Sequence, residues 1–451
     1  MNNKKTKIIS ASLIAALILT LGSCGQQVDK LKPKMSTRAE SSSVADVIDE
    51  SSSGDSKGSD ESSKADKKDQ KDKTDKTDSV ADSKTDTADK TDKTDKDITD
   101  QNAEKSKAEQ VFEQMSLNEK IGQLFIVNPE QIDGYDETVT VYDDTMKDII
   151  KKYPVGGIIQ MTSNVEDPEQ ITKLNKKLQK ISKYGLFIAV DEEGGSVARI
   201  ALDYDFDVTR YSSMYDIGST GDTEQAKEVG VTIGKYLKNY GFNVDFAPDA
   251  DVYTNPENTV IGSRAFSSDP QTASDMVSAC IDGFHKSNTI CAIKHFPGHG
   301  DTAEDTHEGG AVVEKNWEEL KDCELIPFIN SLDKTDMVMV SHISLPNVTE
   351  DDLPASLSRQ LVTDMLKGEL GYQGIVITDS LSMGAISDSY DPAQAAVKAF
   401  EAGADILLMP GNLGEAFDGI KEALSTGLIS EDRLNESVMK ILTLKEKYGI
   451  I

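Results

Sequence analysis

Short apolar runs alternating with amphipathic stretches predict an α/β fold, a single (β/α)8 barrel of the TIM type, over residues 107–451. Two observations support this choice. The apolar runs are rich in Ile, Val, Leu and Phe, as strands buried on both faces should be. Several of them also end in polar or ionisable residues, and in a barrel those ends converge on one rim, where a functional site sits. A doubly wound open sheet is the alternative that uses the same alternation.

The strands are expected at 122–127, 156–161, 186–190, 242–248, 290–294, 337–342, 375–378 and 405–409. Helical patterns lie between them at 169–181, 224–240, 271–286, 317–332, 358–370 and 392–402. The polar strand ends are Asp191 and Glu192, Asp249 and Asp251, Lys294 and His295, Ser341 and His342, and Asp379. Together they predict a polar pocket suited to a hydroxyl-rich ligand.

Ahead of the barrel the chain changes character twice. Lys4, Lys5 and Lys7 precede an apolar run over 8–21, shorter than the roughly 20 residues a membrane span needs. Residues 1–23 therefore read as a secretory signal peptide. The run ends in Leu21-Gly22-Ser23-Cys24, which resembles a bacterial lipobox, so Cys24 is the expected lipidation site, with membrane attachment outside the cytoplasm. A plain signal peptide with an unrelated cysteine is the other reading.

Residues 24–106 are expected to be a disordered linker of Ser, Asp, Lys and Thr, too poor in large apolar residues to offset chain entropy. Residues 51–100 hold fifteen acidic residues and eleven lysines, the near balance of a hydrated spacer. A cell-wall or partner-binding tail is the alternative role. The whole chain carries a net charge of −31, which argues against nucleic acid or anionic lipid as the main partner. Cys280, Cys291 and Cys323 show no paired spacing, so neither a disulfide framework nor a zinc ribbon is expected.

The densest chemistry lies in Lys294-His295-Phe296-Pro297-Gly298-His299-Gly300-Asp301-Thr302, continuing to Asp305-Thr306-His307. Three readings compete. A metal site would use His295 and His299, but Pro297, Gly298 and Gly300 forbid the regular helix that such spacing needs. A structural turn explains Phe296 to Gly300 but not the titratable residues. An acid/base loop explains Asp305 and His307, because a carboxylate can orient an imidazole and favour its protonated form.

With its Asp305-Thr306-His307 continuation, this motif resembles family 3 glycoside hydrolases, in the bacterial β-N-acetylhexosaminidase branch. The resemblance extends over most of the expected barrel, from Met115–Leu124 through Asp191-Glu192-Glu193-Gly194-Gly195, Phe246-Ala247-Pro248 and Ile261–Phe266 to Ile377–Ala385. It implies Asp379 as nucleophile, His307 as acid/base and Asp305 as its partner. It further implies that Asp191, Arg199, Arg264, Lys294 and His295 bind the sugar. One barrel with a histidine-bearing loop points to the N-acetylglucosaminide branch, since β-glucosidase-like members take an acid/base carboxylate from a second domain. Three positions depart from the family's frequent pattern: Ser196, Asp249 and Ser380.

The expected activity is that of a retaining exo-glycosidase acting on terminal β-N-acetylglucosamine of muropeptides or chitooligosaccharides. No cofactor and no metal are expected, and a monomer is the expected state. Phosphorolysis of the same glycosides is the nearer alternative, and a non-catalytic sugar-binding surface protein the more distant one.

Overall fold

The computed structural model describes residues 105–131, 138–303, 305–306 and 309–451. The expected signal peptide, nearly all of the expected linker, Cys24 and His307 lie outside the described residues.

Eight parallel strands form the barrel: β1 (Phe125–Val127), β2 (Gly157–Ile159), β3 (Phe187–Val190), β4 (Val244–Asp245), β5 (Ile290–Phe296), β6 (Met337–Val340), β7 (Ile375–Thr378) and β8 (Leu407–Leu408). Each pairs with its sequence neighbour from β1 to β7, and β8 returns to β1. At the remaining seam a single parallel bridge joins Ile377 and Ile406, supported by a Thr378 N–H donated to Ile406 O at 3.1 Å. All strand residues are buried, so the continuous apolar runs are explained by burial on both faces.

The expected strands are all present but mostly shorter. The one expected at 122–127 begins at Phe125, because Gly122 and Gln123 complete a helix, Leu117–Gln123, started by a Ser116–Glu119 capping box. A short, mainly apolar run cannot by itself separate the end of a buried helix from the start of a strand. β5 instead runs two residues past its expected end, to Phe296.

Helix starts follow local chemistry. Asp167-Pro168, Asp269-Pro270 and Asp391-Pro392 each supply an N-cap carboxylate and a proline in the first turn, a position where the missing N–H costs nothing. The helices expected at 169–181 and 271–286 therefore begin one residue earlier, at Pro168 and Pro270. The helix expected at 317–332 is broken into Trp317–Lys321 and Ile326–Ile329, with Pro327 unable to continue the hydrogen bonding of the first piece. The one expected at 358–370 is π-helical over Gln360–Glu369. Cys280, Cys291 and Cys323 are free thiols.

The helix Glu431–Lys447 is tied to the first described helix, Lys107–Phe112. Glu446 accepts the Lys107 and Ala108 N–H groups at 3.0 and 2.9 Å. Lys445 is wholly buried at the N-terminal end of the barrel and donates to Gln123 Oε1 at 2.7 Å and Gly185 O at 2.8 Å. Both acceptors are neutral, and burial lowers the Lys445 ammonium to about 7.

An unfolded lysine titrates near ~10.4. The folded state therefore binds fewer protons across the interval between these values. The penalty for burying the charge is fully present below about 7 and lifts as pH rises towards ~10.4. Lys445→Met removes that penalty, while its lost hydrogen bonds form a constant offset. The difference in denaturation midpoint between variant and wild type should thus shift in favour of the wild type as pH is raised from about 6 to about 10. A difference that does not move with pH would mean that Lys445 titrates as a solvated amine.

Candidate active site

A cavity of about 390 Å³ opens at the C-terminal ends of the strands, within the ~300–1,000 Å³ range of small-molecule sites. Asp191, Arg199, Arg264, Lys294, His295 and Asp379 all line it, together with Glu193. Asp191 directly follows β3 and Asp379 directly follows β7. Arg264 ends a 3-10 turn, Gly262–Arg264. Lys294 and His295 are consecutive on β5, yet both face the cavity. Pairing with β6 shifts between Ile293 and Phe296, and such a bulge breaks the usual alternation of sides.

These groups form one charge network. Arg264 grips Glu193 with two parallel bonds, Nε to Oε2 and Nη2 to Oε1, both 2.8 Å. Lys294 Nζ lies 2.7 Å from Glu193 Oε1 and 2.8 Å from Asp191 Oδ1. Arg199 Nη2 stands 3.5 Å from Asp191 Oδ2. Burial opposes ionisation of Glu193, but Arg264 and Lys294 outweigh it and hold this carboxyl far below the usual range. In return, burial would discharge Lys294, and Asp191 and Glu193 keep it firmly protonated.

His295 is fixed between two partners. Its Nδ1 lies 2.6 Å from Asp251 Oδ2, and its Nε2 lies 3.1 Å from Arg264 Nη2. A guanidinium only donates, so Nε2 accepts and Nδ1 carries the hydrogen given to Asp251. Burial and the Arg264 and Lys294 charges lower this imidazole to about 4, so it is neutral at neutral pH. Asp251 Oδ1 also accepts the His299 N–H at 2.6 Å. The His299 ring sits between the Thr302 and Thr306 hydroxyls, at 2.8 and 3.3 Å.

Asp379 is half-buried within the network, with Oδ1 accepting the Ser380 N–H at 2.7 Å. Burial works against its charge, but His342, His295, that N–H and Lys294 together hold it below the ordinary carboxylate range. Because His295 is neutral above about 4, its share belongs to acidic solution. His342 is itself held, with Nε2 2.8 Å from Ser380 O and Nδ1 2.7 Å from Ser356 Oγ.

Several sequence-predicted rim residues sit elsewhere. Glu192 does not line the cavity. It turns inward, accepts the N–H groups of Arg199, Ile200 and Ala201 at 2.5, 2.9 and 2.8 Å, and takes the Tyr236 hydroxyl at 2.8 Å. It thus shapes the loop that presents Arg199. Ser341 is also structural, donating to Phe296 O at 3.1 Å. Asp249 and Asp251 are buried behind Arg264 and His295. Burial, with the neighbouring Asp251 charge, pushes Asp249 up to about 7.

Sequence reasoning missed Glu193, His299 and Thr306 as cavity residues. For Glu193, the signal was a carboxylate two places beyond Asp191 in the same motif. Among the described residues Asp305 does not line the cavity, whereas Thr306 does. Its carbonyl accepts the Ala385 N–H at 3.3 Å. The pairing of Asp305 with His307 falls on a residue outside those described.

Among the described residues, two groups of side chains have the donor types to hold a metal: Asp249, Asp251 and His295, and, outside this site, His285, Cys291 and Asp336. In the first group His295 Nδ1 is engaged by Asp251, and the Arg264 guanidinium stands 3.6 Å from Asp249.

The chain matches the family described as "Glycosyl hydrolase family 3 N terminal domain" over residues 116–444. It is 35% identical to β-hexosaminidase A of Pseudoalteromonas piscicida, over 68% of this chain and 56% of that protein. It is 31% identical to the β-hexosaminidase LpqI of Mycobacterium tuberculosis, over 66% of this chain and 77% of that protein. Among solved structures, a family 3 β-N-acetylglucosaminidase from Paenibacillus sp. superposes with a TM-score of 0.69 at 35% identity, covering 74% of this chain and 63% of that one. The chain therefore spans little more than half the length of the Pseudoalteromonas protein. The family match takes in all eight strands and every described residue of the charge network, and the chain belongs to glycosyl hydrolase family 3.

Proposed function

We propose that this chain hydrolyses terminal β-linked N-acetylhexosamine, with N-acetylglucosamine as the preferred sugar, and does so with retention. The observation that carries the reading is Asp379, a half-buried carboxylate kept ionised inside a cavity of paired charges and hydrogen-bonding groups. A carboxylate in that state is a nucleophile rather than a proton donor. The relatives named β-hexosaminidase and β-N-acetylglucosaminidase support the choice of sugar.

In the proposed reaction a carboxylate oxygen of Asp379 bonds to the anomeric carbon as the glycosidic bond breaks. His307, as imidazolium, gives its proton to the departing oxygen. Neutral His307 then takes a proton from water, whose oxygen attacks the anomeric carbon and releases Asp379. Asp305 orients His307. Asp191, Arg199, Arg264, Lys294 and His295 hold the sugar hydroxyls and acetamido group. Lipid attachment at Cys24 and action on cell-wall fragments outside the membrane belong to the same proposal, motivated by the N-terminal sequence.

A slowly turning-over fluorinated N-acetylglucosaminyl fluoride should leave one sugar on the peptide containing Asp379, read by mass spectrometry. A label on another residue of active protein would overturn the assignment. Asp379→Asn should lower kcat by about ten-thousandfold or more, as loss of a covalent nucleophile does elsewhere. Adding phosphate should leave free N-acetylglucosamine as the product; a sugar 1-phosphate would identify a phosphorylase instead.

The pH dependence has a definite sign. Asp379 must be ionised, and its carboxyl is held below its usual range. The acidic limb of kcat/KM should therefore fall below the ~3.9 of an ordinary aspartate. Lys294→Met removes a stabilising charge and should move that limb upward; a limb that stays in place would remove Lys294 from the control of Asp379.

A further inference from the structure

Two ends of one segment are tied together beside β5. Asp301 stands just before residues 302–314 and Lys315 just after them. Lys315 Nζ lies 3.1 Å from Asp301 Oδ1 and 2.5 Å from Glu324 Oε1. Glu324 is wholly buried, and its other oxygen has no hydrogen-bond partner. The Thr254 hydroxyl lies within reach of both carboxylates, 3.2 Å from Asp301 and 3.3 Å from Glu324. A side chain on Gly298 would strike Glu324 Cβ at 2.7 Å, so Glu324 also backs the turn that leads into the segment.

Loops at the rim of the barrel anchor each foot separately. At the entry, Asn258 Nδ2 donates to His299 O at 2.8 Å and Asn255 Nδ2 to Thr302 O at 3.1 Å. At the exit, the Val313 N–H donates to Ser344 O at 3.0 Å and the Ser344 N–H to Ala311 O at 2.8 Å. Lys315 joins the two feet. A carboxylate out of water needs a paired cation, so Glu324 fixes Lys315 and Lys315 fixes Asp301. Between the feet, Thr306 reaches the cavity.

We infer that Asp301, Lys315 and Glu324 form a clasp that holds together the two feet of the 302–314 segment, and that proton transfer to the leaving group depends on this clasp. The inference rests on the proposed acid/base role of His307. Lys315 is a positioning residue: it touches neither substrate nor the reacting atoms. Its loss is expected to leave Asp379 and the sugar-binding side chains in place and to impair proton transfer. Displacement by about 1 Å can cost on the order of a hundredfold in rate. That cost falls on leaving groups that need a proton and spares those that depart as stable anions.

The test uses the full chain and Lys315→Met. Values of kcat/KM are compared for methyl β-N-acetylglucosaminide, a poor leaving group, and the dinitrophenyl glycoside, a good one. The expected result is a loss of about tenfold or more on the first and less than about threefold on the second, with Lys315→Arg restoring both. Equal losses on the two substrates, or none on the first, overturn the inference. Should Lys315→Met fold poorly because Glu324 is orphaned, Lys315→Met combined with Glu324→Leu removes both charges and is expected to show the same selectivity. His307→Ala is the control. Selectivity in His307→Ala but not in the clasp variants overturns the clasp alone, while its absence from all of them overturns the acid/base assignment.

Discussion

Glu193 is almost wholly buried and stays charged because Arg264 and Lys294 enclose it. Each buried ion would cost several kcal/mol if left unpaired. The three partners come from the loop after β3, the turn Gly262–Arg264 and β5, so the charges balance only when these parts of the rim are in register. Asp191 and Arg199 extend the balance outward, and His295 is held neutral against Arg264. The site's polarity is therefore a property of the closed barrel. Gly194 and Gly195, both with positive φ (89° and 65°), let the chain reverse directly after Glu193 in a conformation that side chains disfavour.

The same network explains which parts of the site were legible in the sequence. Asp191, Lys294 and Asp379 end apolar runs, and the run itself tells where the strand stops, so their convergence follows from barrel geometry. Glu192 and Glu193 are adjacent and chemically alike, yet one caps backbone N–H groups beneath the Arg199 loop and the other faces the cavity. The side each takes depends on a turn whose shape comes from distant partners, Tyr236 for one and Arg264 for the other. His295 was named, but its tautomer follows from Asp251 and Arg264, neither of which is near it in sequence.

Boundaries were less legible than elements. β1 starts three residues later than its apolar run because a capping box claims the first part for a helix. The helix expected at 317–332 breaks where Glu324 turns inward to meet Lys315. Amphipathic periodicity registers the apolar face but neither Pro327 nor a single buried carboxylate within the same stretch.

The contact between Lys445 and Gln123 has a meaning for the order of assembly. Its partners are 322 positions apart, and the Glu446 cap on Lys107 spans 339. Pairing of β1 with β8 spans a similar stretch. Such long-range contacts must wait for chain that does not yet exist during synthesis, and they slow folding. The ring cannot be completed from its first seven strands, and the growing chain keeps an unpaired edge at each side until β8 and the last helix emerge. The window in which chaperones, proteases or a translocation channel can still handle the open chain thus closes only near residue 445.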